Sequence, residues 1–209
     1  MSIWTNRRAA LALALMALAP GGAGAEGAAP ARIALAGGEV VIRGPRGYCA
    51  DPGAVRGATM AVLAGCDSLA PGGAAPRDRA ILTAAVTPGG LGLPLDAATE
   101  VLVAWFTSRE GLAALSRAGK PETVMVHEAR RSKGAFSLHL SDRAPFPGGA
   151  VAPGYWRAIL DLGGHVVTLS VYAPAAAALD REAGFAILRD FVAAVQAENR
   201  ARPVAAAPE

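Results

Sequence analysis

Lysine occurs only twice in this chain, at Lys120 and Lys133, and cysteine and histidine are nearly as scarce, with two and three residues. Each scarcity excludes something. Cys49 and Cys66 alone cannot build a cysteine-rich zinc module, and no Cys-x-x-Cys redox pair exists. After residue 25 no apolar run reaches the ~18 residues that mark a membrane-spanning helix. There is no Gly-x-Ser-x-Gly nucleophile elbow. The pairs Gly72-Gly73, Gly89-Gly90 and Gly148-Gly149 adjoin proline and lack a following Gly-Lys-Ser/Thr, so they read as turns and not phosphate cradles. Ser137, Ser141 and Ser170 fall in predicted strands with no base nearby in sequence. Glu128 and Asp161 also fall on strands, without a carboxylate partner.

What is present begins at the N-terminus. Arg7-Arg8 precede an apolar run over 9–19, Pro20-Gly21-Gly22 break it, and Ala23-Gly24-Ala25 supplies small residues at an A-x-A site. This order is that of a secretory signal peptide cleaved after Ala25. An uncleaved anchor is the alternative, but the apolar core is well short of the ~20 residues a spanning helix needs. Export by the twin-arginine route is a variant; a lipoprotein is excluded because no cysteine ends the run. The first 25 residues hold two of the 20 basic residues and none of the 17 acidic ones, which leaves 18 against 17, a net +1. That near-balance argues against a nucleic-acid surface. The expectation is a periplasmic protein with no integral membrane association once the signal is removed.

In an oxidising compartment Cys49 and Cys66 are expected to form a disulfide. Free thiols or half of a metal site are the alternatives, and no further Cys or His lies nearby to complete the latter. Asp51 as N-cap and Pro52 at the first position predict a helix from Gly53 to Gly65 between the cysteines. The bond would close a loop of about 16 residues, worth on the order of 3 kcal/mol by chain entropy.

Strands are predicted at Glu39–Arg43 and Arg79–Thr87, separated by a Pro/Gly-rich loop at 70–76. Asp96 is expected to cap a helix to Thr107 that places Leu102, Trp105 and Phe106 on one face. Ser108 is expected to cap a second, carrying Leu112 and Leu115 and stopping at Gly119. Two hairpins follow. In the first, Thr123–Arg131 and Ala135–Ser141 flank a three-residue loop, which pairs Val126 with Leu140 and His127 with His139. In the second, Gly163-Gly164 form a two-residue turn. Trp156, Leu160, Leu162, Val167, Leu169 and Val171 then share one buried face, with Arg157, Asp161, Thr168 and Ser170 on the other. Asp180 caps a last helix to about Asn199, whose Phe185, Leu188, Val192 and Val195 form a wide apolar stripe. These elements predict an α+β fold: residues 26–200 as one domain, an antiparallel sheet of about six strands with helices packed on it. Residues 26–31 are expected to fray, and 201–209 to form a disordered tail.

His127 and His139 are the one constellation with metal-binding potential, because cross-strand partners sit ~5 Å apart. A site needs a third ligand, and that face offers only Met125, since Asp142 has the other parity. A solvated polar face is the competing reading. His165, beside the Gly-Gly turn, reads as a surface residue. Tyr155-Trp156 could stack on a ligand, with a core role for Trp156 as the alternative.

The stretches Gly47-Tyr48-Cys49-Ala50-Asp51-Pro52, Gly65-Cys66, Tyr155-Trp156-Arg157-Ala158 and Phe191-Val192-Ala193-Ala194 resemble a group of small exported alphaproteobacterial proteins of unknown function. Some of that group are labelled cation-transport ATPases. A pump of that type needs several spans and an Asp-Lys-Thr-Gly motif, and neither Lys120 nor Lys133 follows an Asp. Two late hairpins followed by a packing helix are also similar to the PsbP-like α+β fold, a likeness that transfers no site residues.

The functional expectation is a non-enzymatic periplasmic protein that binds another protein or a small molecule through its sheet face or loops, with no cofactor. The alternatives are a hydrolase-type enzyme with a loop-assembled site, and a metal-binding protein using His127 and His139.

Overall fold

The computed structural model describes residues 29–200, apart from 93, 133, 147–148 and 178. Residues 1–25, expected to be a signal peptide, and 201–209, expected to be a disordered tail, lie outside the described residues. The chain runs β1 (Arg32–Leu35), β2 (Val40–Arg43), β3 (Tyr48–Ala50), β4 (Met60–Gly65), α1 (Cys66–Leu69) and β5 (Ile81–Pro88). It continues through α2 (Leu95–Thr107), α3 (Arg109–Leu115), β6 (Val124–Ser132), β7 (Ala135–Asp142), β8 (Val151–Leu162), β9 (His165–Pro174) and α4 (Arg181–Arg200). The fold is α+β. Seven antiparallel strands form one sheet in the order β3-β4-β5-β9-β8-β7-β6, and β1-β2 form a separate ribbon.

The sheet is buried on both faces, where the sequence suggested one. On the first face Trp156, Leu160, Leu169, Val171, Leu82 and Leu63 meet Leu188, Phe191 and Val195 of α4, while Leu35, Val40 and Ile42 of the ribbon complete the layer. On the second face Phe136, Leu138, Leu140, Tyr155 and Ile159 pack with Phe106 and Leu115 of α2 and α3. The alternation in β8 and β9 was therefore correctly phased but not apolar against polar. Tyr155, Ile159 and Tyr172 are apolar enough in their bodies to line a second core, and aromatic rings bury large areas even with a polar tip.

The chain between the cysteines departs most from expectation. Asp51 does cap, its Oδ1 accepting from the Gly53 amide at 2.9 Å, but it caps a single 3-10 turn at Pro52–Ala54. The predicted helix to Gly65 is instead β4, in which Ala61, Leu63 and Gly65 are buried and Met60, Val62 and Ala64 are partly exposed. Alanine on both faces, Ala61 inward and Ala64 outward, concealed this period of two. The disulfide is formed: Cys49 of β3 bonds Cys66 at the start of α1.

β1 was not foreseen, and Pro30 and Ala31, expected to fray, accept backbone hydrogen bonds from Ala50 and Gly44 at 2.8 and 3.2 Å. α2 begins at Leu95 with Pro94, not Asp96, at the cap position. Its Phe106 enters the core while Trp105, expected beside it, stays 43 % exposed. Ser108 caps α3 by accepting from the Gly111 amide at 3.1 Å, and Asp180 caps α4 by accepting from the Glu182 amide at 2.8 Å, both as expected. Gly163 and Gly164 have φ of 59° and 78°, the left-handed pair that a two-residue hairpin turn demands. They set the Leu162–His165 register.

Candidate ligand cleft

The first hairpin places the histidines differently from the sequence reading. Ser132 pairs with Ala135, one position off the predicted Arg131–Ala135 pairing, and a β-bulge at His127 absorbs the difference. Beyond the bulge Val126 pairs with Leu140 as predicted, but His139 faces Glu128. The imidazoles still meet, with ring centroids 5.3 Å apart, because a bulged residue and its neighbour share one partner. His127 Nε2 lies 2.9 Å from Ser141 Oγ. His139 leans over the Trp156 ring at 5.0 Å, and its Nδ1 is buried without a hydrogen-bond partner. Burial, then His127 and the nearby Arg181, hold its pKa below the ordinary 6.5, so the ring is neutral at and above that pH.

A metal would need a further donor. Asp142 lies on the opposite face, where it accepts from the Arg117 and Ala144 amides, and Met125 points to solvent. Among the described residues no three His, Cys, Asp or Glu side chains converge to hold a metal ion.

Beside His139 an ion-pair lattice ties β6 to the start of α4. Arg130 lies over the rings of Phe185 and Trp156, at 4.3 and 4.9 Å from their centroids. It donates to Glu128 and, at 2.7 and 3.0 Å, to both oxygens of Glu182. Arg130 therefore holds both carboxyls below their usual range. Trp156, fully buried, donates from Nε1 to the Arg181 carbonyl at 2.8 Å. The core role suggested for Trp156 is the one observed.

Where α4 begins, this face of the sheet is left uncovered, and a cleft of about 450 Å³ opens there. Its walls are His139, Ala152, Gly154, Ala173, Leu179 and Arg181. Small residues make the room: a Cβ added at Gly154 would meet nothing within 4 Å. The Arg181 guanidinium, 54 % exposed, lies 3.5 Å from Glu128 and 3.7 Å from Glu182. The cleft thus offers an open depression of mixed polarity floored by small residues, a neutral imidazole and one cation.

The other sequence candidates do not join it. Ser137 is buried in β7, and Ser170 accepts from Arg157 Nε at 3.1 Å. Asp161 accepts from the Leu91 amide at 2.8 Å. His165 is more enclosed than expected, its side chain only 12 % exposed, with Nε2 3.3 Å from Glu39 and Nδ1 3.2 Å from the Gly163 carbonyl. Both its ring nitrogens are occupied at a turn. Sequence reasoning found His139 but missed Gly154, Ala173 and Arg181; the run of small residues over 173–177 was the available signal. Comparison of the chain with protein-family models and with characterised proteins finds no match to either.

Proposed function

We propose that this chain is exported, loses residues 1–25, and serves in the periplasm as a non-enzymatic binding protein that holds a small molecule in the cleft at the start of α4. The observation that carries the reading is the cleft itself: an open depression walled by Ala152, Gly154 and Ala173, with the His139 ring on one side and Arg181 on the other. A small molecule seated on these small residues, with a carboxylate or carbonyl directed at the exposed Arg181 guanidinium, would use the room and the cation together. The Cys49–Cys66 bond, the signal-like N-terminus and the resemblance to exported proteins support the compartment. The near-balanced charge after Ala25 speaks against nucleic acid as the partner.

The test is native mass spectrometry of the mature protein after incubation with a small-molecule extract of the cells that make it. The expected result is a discrete adduct that Gly154→Leu, which fills the depression, abolishes without lowering the melting temperature. Identical spectra for the two proteins would end the reading. The facing imidazoles support a second, metal-binding reading, which unchanged metal content in a His139→Ala variant would eliminate.

A further inference from the structure

A second cavity, of about 540 Å³, lies where α4 meets the loop before β3 and the loop before β5. Three arginines line it from three separate segments: Arg46 from the first loop, Arg77 from the second and Arg189 from α4. Arg189 lies 3.5 Å from Asp190 on its own helix, whereas neither Arg46 nor Arg77 has an ion-pair partner within 4 Å among the described residues. Asp78, the remaining carboxylate of the wall, belongs to the segment whose backbone carbonyl accepts from Tyr48 Oη.

The loop that carries Arg77 is fixed in place by unusual means for a surface segment. Gly47, at a φ of +85°, approaches Pro76 so closely that an added Cβ would come within 2.7 Å of its Cα. Gly65 lies on the ring side of the same proline, an added Cβ coming 3.0 Å from Pro76 Cδ. Cys49 and Cys66, each within two residues of one of these glycines, are joined by the disulfide. The Tyr48 hydroxyl reaches the Asp78 carbonyl at 2.5 Å. Glycine, disulfide and phenol together clamp residues 75–78 onto β3 and β4, which brings Arg77 to the same cavity as Arg46. Like charges gathered this way repel unless an anion lies between them, and a guanidinium fork matches the paired oxygens of a phosphate or sulfate.

We propose that this cavity is a binding site for a small phosphate- or sulfate-bearing anion, held between Arg46 and Arg77 with Arg189 at the rim. The site is separate from the cleft at the start of α4 and does not depend on it. The test is calorimetric titration of the mature protein with pyrophosphate at constant ionic strength. It compares wild type with Arg46→Ala, Arg77→Ala and Gly154→Leu, and with Arg143→Ala as a distant surface control whose Nη2 donates to the Glu122 carbonyl. Saturable one-to-one binding is expected, weakened about tenfold or more by either cavity variant, a change of ~1.4 kcal/mol or more, and unaltered in the other two. Absence of saturable heat would overturn the proposal. So would equal affinity in Arg77→Ala, or an equal loss in Arg143→Ala, which would mean diffuse attraction to surface arginines.

Discussion

Asp142 is a fully buried carboxylate at the end of β7, and its surroundings decide its charge. Burial pushes its pKa up, but the Arg117 and Ala144 amides, Thr123 and the Arg117 guanidinium outweigh that and leave it below the ordinary 3.8. A group depressed in the folded state contributes stability that is complete above its unfolded pKa and is lost as pH falls through the folded one. Urea unfolding followed against pH should therefore show stability falling below about pH 4, and Asp142→Asn should flatten that limb. The same substitution should cost roughly 3 kcal/mol at neutral pH, because it leaves Arg117 half-buried without its counter-charge. His139 carries the opposite charge type, also depressed. The unfolded chain binds its proton more readily, so stability should rise with pH up to about 6.5 and then level off. Imidazole proton shifts across the titration should show His139 midway below 6.5; a midpoint above it would contradict the buried, neutral ring. The proximity of the two histidines was legible in the sequence through hairpin register. The bulge that sets Glu128 opposite His139 was not, because nothing local distinguishes a three-residue loop from a shorter one compensated five positions away.

At the scale of elements, α4 carries the first core. Its stripe was readable because Phe185, Leu188, Val192 and Val195 recur at helical spacing among polar residues. Phe191 is fully buried against the sheet, and Phe191→Ala should cost about 3–5 kcal/mol in urea unfolding. β4 was unreadable for the converse reason: alanine and glycine satisfy a helical and a strand pattern equally, and its pairing with β5 decided the outcome. The disulfide acts at this scale too. With a sequence separation of 17 residues, its removal in a Cys49→Ala/Cys66→Ala variant should cost about 3 kcal/mol by loop entropy. The midpoint of chemical unfolding in oxidised and reduced protein would check this, and coincident curves would show that the clamp contributes nothing.

For the whole molecule, one antiparallel sheet carries two cores and two unlike covers. The ribbon and α4 close one face, and α2 with α3 close part of the other. The α+β class followed from the order of periodic segments alone. The second buried face did not, because Arg157, Asp161, Thr168 and Ser170 mark that face as polar, although Tyr155 and Tyr172 stack there at 4.6 Å once folded. The cleft was harder still to foresee, since its walls are defined by what alanine and glycine leave unfilled. It forms because α4 begins over Trp156, well inside β8, and leaves Ala152 and Gly154 of β8 and Ala173 of β9 uncovered. Compartment, staple and cleft meet in the native mass of the protein recovered from cells that make it. The account requires a chain beginning at Glu26, two cysteines that resist alkylation until reduced, and a bound small molecule that Gly154→Leu displaces. A chain that still begins at Met1, with both thiols free to react and no difference between wild type and Gly154→Leu, would contradict it.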